Sequence, residues 1–217
     1  MDCAEAVKYL KSQSNVKNVK GMARFGINVK GALGISMPKL RSFAKKLGKN
    51  HALAQQLWKT GIHEAKILAG LVDEPKKVNE RQMEKWVRGF DSWDVCDQTC
   101  LNLFHETEYA YKKCHDWSKR REEYVKRAGF ALMAVMAVHG KEFNDRDFID
   151  FFPSIKRGTI DDRNFVKKAV NWALRQIGKR NEKLRKEAVK LAESIAKMDF
   201  PSSKWIARDA LRELKKK

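Results

Sequence analysis

Asp97 stands four residues after Trp93 in the segment Phe90-Asp91-Ser92-Trp93-Asp94-Val95-Cys96-Asp97. At that spacing an indole and a carboxylate share one helix face. Together they would make a small anionic, π-rich site that suits a cation. A solvated Asp beside a core Trp satisfies the same spacing. Asp91 and Asp94 fit an N-cap and a first-turn acid, both favoured by the helix dipole. Trp172 has Lys168 and Arg175 at helical spacing, an arrangement suited to stacking on a base or sugar with phosphates clamped alongside. A core position for Trp172 is the alternative. Cys96 and Cys100, with His105, Cys114 and His115 nearby, match no zinc-ligand spacing and no CxxC is present. Buried cysteines are expected there, with no metal and no organic cofactor. A Gly-rich phosphate loop, HExxH and GxSxG are all missing.

These residues need helices to position them. Apolar side chains recur at spacings of three and four, and alternating strand-like runs are absent. A first short helix carries Val7, Tyr9 and Leu10. Further helices are predicted over 37–47 (stopped by Gly48), 52–58, 65–72, 78–90, 93–104, 122–139, 145–152 (ending at Pro153), 161–178, 181–198 and 202–214. The segment Tyr124-Val125-Lys126-Arg127 returns as Phe165-Val166-Lys167-Lys168 and again as Trp205-Ile206-Ala207-Arg208, at offsets of 41 and 40 residues. Helix-pair repeats of the HEAT type have a period of about 40–47 residues. Such pairs cannot bury their apolar faces alone and stack into a solenoid. The expected fold is therefore an all-α, HEAT-like (ARM-type) solenoid of antiparallel helix pairs, one domain over 1–217. A row of recurring cations on a concave basic face would follow a phosphate backbone.

Charge narrows the partner. The 217 residues hold 46 Lys+Arg against 27 Asp+Glu, a formal net charge of +19 that draws in polyanions. Lys and Arg on phosphates release counterions, which makes nucleic acid the expected partner. No secretory signal or membrane-spanning run is visible, and the four cysteines form no disulfide framework. A cytoplasmic monomer, nucleoid-associated when bound to DNA and without a membrane partner, is the expectation. A non-catalytic DNA-structure-binding module and a protein-interaction scaffold remain the competing classes.

The chain resembles the AlkD-type DNA alkylation repair family, HEAT-like repeat glycosylases of 3-methyladenine and 7-methylguanine. Met22-Ala23-Arg24-Phe25, with Gly34-Ile35, Pro38 and Arg41, is similar to the family's N-terminal signature. Ser92 to Asp97 resembles its Trp-x-x-x-Asp motif. Val125-Lys126-Arg127-Ala128 and Lys168-Ala169 with Trp172 to Arg175 resemble its segments for a pocket arginine and a second tryptophan. The resemblance implies catalytic roles for Trp93, Asp97, Arg127 and Trp172, with DNA contacts from Arg24, Lys126, Lys168, Arg175 and Arg208. It implies duplex DNA carrying alkylated bases as the substrate. Phe25, Ser36 and Ser92 depart from residues common in the family, which bears on lesion preference and turnover.

Overall fold

The computed structural model describes residues 1–216, and every regular element among them is helical. By contact the chain, read above as one domain, separates into two compact units, Met1–Thr107 and Glu108–Lys217.

The first unit contains α1 (Cys3–Ser12), α2 (Val16–Arg24), α3 (Met37–Leu47), α4 (His51–Lys59), α5 (His63–Val72), α6 (Glu80–Arg88) and α7 (Trp93–Asn102). Helix α5 packs against α3, α4 and α7. Eight of its ten residues are buried, as befits a helix surrounded by neighbours. Trp58 and Trp86 stack at 4.2 Å, and Phe90 and Phe104 close around them. Gly48 ends α3 as expected, at a φ of 69° that only glycine adopts without cost. Gly34 is the tighter case. Its φ is +76°, and an added Cβ would fall 2.2 Å from the Asn15 carbonyl oxygen. The chain from α2 to α3 can therefore turn back against α2 only with glycine here.

The second unit contains α8 (Ala110–Ser118), α9 (Glu123–His139), α10 (Asp145–Ile149), α11 (Phe152–Gly158), α12 (Asn164–Lys179), α13 (Glu182–Ala196) and α14 (Pro201–Leu214). Helix α9 packs on α8 and α12, and α12 packs on α13 and α14. Residues 127–137 of α9 are all buried. Arg180 fastens the end of α9: its guanidinium donates to the carbonyls of Ala137, Gly140 and Phe143 and lies 4.6 Å over the Phe148 ring. The sequence repeat has a physical counterpart. Tyr124 and Phe165 stack at 6.0 Å from the first turns of α9 and α12, and the Lys167 ammonium lies 5.1 Å over the Trp205 ring of α14.

The helix boundaries depart from expectation in three places. The predicted helix over 145–152 is two helices, and Pro153 sits in the first turn of α11 rather than ending its predecessor. Helix α2 was not predicted, although Val16, Val19 and Met22 recur along it at spacings of three; the stripe is short, and none of it is buried. Helix α8 was also missed, although Ala110, Cys114 and Trp117 are buried at spacings of four and three. Its face reads weakly because it mixes in the buried Lys113 and Ser118.

Candidate nucleic-acid interface

Helix α7 begins where Ser92 takes extended backbone, but neither Asp91 nor Ser92 caps it by its side chain, contrary to the expected N-cap. The Ser92 hydroxyl instead donates to Asp94 Oδ1 at 2.5 Å. The other Asp94 oxygen lies 2.8 Å from Nε2 of His63, the first residue of α5, which is buried. Burial opposes charge on both groups, but their mutual hydrogen bond and attraction prevail. The His63 pKa is raised above the ordinary imidazole value and that of Asp94 is held below the ordinary carboxylate value. An ion pair thus pins the first turn of α7 to α5.

Above this anchor lie the two residues that could do chemistry. Trp93 and Asp97 occupy one face of α7 and are both half-buried, while Val95, Cys96, Thr99 and Cys100 fill the opposite side. The Trp93 indole N–H donates to the Phe25 carbonyl at 3.1 Å, which fixes the ring against the end of α2. The segment after Phe25 is itself held by polar contacts. The Asn28 amide donates to Asp91 at 3.2 Å, as does the Lys66 ammonium. Glu64, 1% exposed, accepts three backbone N–H groups, from Leu33, Gly34 and Ile35, at 2.7, 2.6 and 3.2 Å. Each accepted N–H is charge-assisted, so the carboxylate is compensated where it is buried. The arrangement presents a held ring and a half-buried carboxylate on one helix face.

Arg24 and Phe25 border a cleft of about 580 Å³ whose walls also include Lys17, Lys20, Gly34 and Ser36. Phe25 is 72% exposed. Lys17 and Lys20 were not singled out from sequence. Their spacing of three and four with Arg24 puts all three on one side of α2, and that spacing was the available signal.

The second unit carries the remaining residues. Arg127, on α9, is 6% exposed, and its guanidinium donates to the Phe165 carbonyl of α12 at 2.5 Å. It therefore joins the two helices and offers little surface. Trp172, on α12, is half-buried. Lys168 and Arg208, equivalent in the repeat to Arg127, are exposed. Lys126 and Arg175 are committed to ion pairs that the sequence did not reveal. Lys126 meets Asp161 at 2.9 Å. Burial would raise the Asp161 pKa, but Arg163 and Lys126 bring it down to about 2. Arg175 pairs with Glu213 and lies 3.5 Å from Asp209. Of the five cations expected to touch DNA, Arg24, Lys168 and Arg208 thus present their charge most openly. Cys96, Cys100 and Cys114 are buried thiols, as their helix faces implied.

Packed helix pairs, an indole and a carboxylate on one half-buried helix face, and exposed cations at the repeat spacing define an all-helical repeat protein equipped to meet a polyanion. The chain belongs to the DNA alkylation repair enzyme family, whose pattern matches residues 6–214. It is also similar to a solved structure described as "a new family of proteins related to the HEAT-like repeat DNA glycosylases with affinity for branched DNA structures". That likeness covers 99% of this chain and 96% of the other, with a TM-score of 0.81 at 21% identity, and establishes a HEAT-like fold. No curated protein matches the chain.

Proposed function

We propose that the chain hydrolyses the N-glycosidic bond of cationic alkylated purines, 3-methyladenine and 7-methylguanine, in duplex DNA. The observation that carries this reading is the Trp93–Asp97 face, held by the His63–Asp94 pair below and by the Phe25 carbonyl beside it.

Alkylation at N3 or N7 gives a purine a formal positive charge, so the base departs neutral and needs no strong general acid. The remaining demand is to stabilise the cationic sugar that develops and to orient water. A preorganised carboxylate meets that demand, because it is worth more in a partly dry site than in water. The Asp97 carboxylate takes this role. The indole faces of Trp93 and Trp172 favour positive charge through their quadrupoles. Arg24, Lys168 and Arg208 grip the backbone, while Arg127 holds α9 to α12 through the Phe165 carbonyl. The protein acts alone and needs no cofactor in this scheme.

Asp97→Asn tests the assignment. Single-turnover release of 7-methylguanine should fall by about 10²–10³-fold, the size of one lost electrostatic stabiliser, while duplex affinity is retained. An unchanged rate would remove Asp97 from the chemistry.

The solved relative's described affinity for branched DNA favours a second reading, a non-catalytic binder of DNA structure. That reading requires the cations but not Asp97, and the same assay separates the two.

A further inference from the structure

We propose that Ile160, Phe200 and Trp205 form a distinct DNA site that stacks unpaired nucleobases at a branch or strand end, an inference that rests on the DNA-binding reading above. Few large apolar side chains among the described residues are exposed, and three of them lie within a few residues of one hydrogen-bonded joint of the second unit. Ile160 is 49% exposed, Phe200 46% and Trp205 39%. The joint is built by hydrogen bonds. The Thr159 carbonyl accepts the hydroxyl of Ser202 at 2.7 Å, and the Ser203 hydroxyl shares its proton between that carbonyl, at 3.1 Å, and the Thr159 hydroxyl, at 2.9 Å. These bonds draw Ile160, just after Thr159, to Phe200, just before the start of α14. Trp205 follows Ser202 by three residues on the same helix.

Exposed apolar side chains scattered singly need no explanation, whereas a contiguous group marks a binding surface. The charges nearby select the occupant. Lys167 lies 5.1 Å over the Trp205 ring, and Lys168 and Arg208 are exposed on α12 and α14, while Lys204 on the first turn of α14 already pairs with Asp199 at 2.7 Å. Aromatic rings interleaved with cations suit single-stranded nucleic acid, whose bases stack on the rings while the phosphates meet the cations. An intact duplex hides its base faces, so this patch distinguishes unpaired nucleotides from paired ones. The surrounding positive charge disfavours a basic or neutral protein partner.

The test compares a plain duplex with the same duplex carrying a short single-stranded flap that holds 2-aminopurine near the junction. Wild-type protein should bind the flapped DNA more tightly and quench its fluorescence. Trp205→Ala should lose roughly tenfold on the flapped DNA, the size of one base–aromatic stack, and leave plain-duplex affinity unchanged. Trp205→Phe, which keeps a stacking face, should retain most of the preference and controls for folding. Equal loss on both DNAs, no loss on either, or no wild-type preference for the flap would overturn the proposal. So would a concentration-dependent dimer in sedimentation that Trp205→Ala abolishes. If the wild type binds neither DNA, the DNA-binding reading itself has failed and this proposal falls with it.

Discussion

The two compact units hold their functional residues by different means. In the first, buried polar groups hold the elements around Trp93 and Asp97: Glu64 gathers three backbone N–H groups, and His63 pairs with Asp94 on α7. In the second, Lys168 and Arg208 simply project from helices whose apolar sides pack together. A carboxylate that must stabilise developing charge tolerates little misplacement. Cations that meet a uniform phosphate backbone tolerate more. On the proposed reading the carboxylate that needs exact placement lies in the first unit and most of the exposed gripping cations in the second, and the contrast can be tested from either side.

The largest expected effect is on the first unit's anchor. Glu64→Gln should cost about 3 kcal/mol in urea unfolding, because the amide nitrogen it introduces faces backbone donors. Excision should fall with it, since the segment that holds Trp93 would loosen. A cost under about 0.5 kcal/mol, the size of an ordinary surface change, would show that this carboxylate does not organise the segment.

A smaller effect belongs to the second unit. The double variant Lys168→Ala/Arg208→Ala should weaken duplex binding about tenfold, with the log–log salt slope reduced by about two. Lys126→Ala and Arg175→Ala should each change the slope less, because Asp161 and Glu213 already partner those charges. Equal slopes for paired and exposed cations would break the distinction.

The smallest effect is a pH dependence. The raised His63 pKa contributes stability that is complete below the ordinary histidine value of about 6.5 and disappears as pH rises through the folded-state value. The lowered Asp94 pKa contributes stability present above about 3.9 and lost as pH falls through its own folded-state value. The pair therefore acts fully from about pH 4 to about pH 6.5. Between about pH 5 and pH 9, wild-type melting temperature should decline more than that of His63→Gln. Parallel profiles would contradict the ion-pair assignment.

Much of the fold was legible in the sequence because the core is periodic. Helix α9 is apolar over residues 128–137, and the repeat at 41 and 40 residues marks helices that pack side by side. Helix α2 escaped because its apolar stripe, Val16, Val19 and Met22, is short and set among lysines. For the site, the i, i+4 spacing placed Trp93 and Asp97 on one face. It gave no warning of His63 beneath Asp94, since 31 residues separate the pair in sequence. Nor could local spacing show that Arg127 is buried, or that Asp161 and Glu213 occupy Lys126 and Arg175. Those facts depend on partners 35–38 residues away.

The most direct test of the central claim is release of free base from methylated genomic DNA by the wild-type protein, measured by chromatography. The account predicts time-dependent appearance of 7-methylguanine and 3-methyladenine, with no release of unmodified guanine. Tight DNA binding without any free alkylated base would contradict it and leave a protein that recognises DNA structure alone.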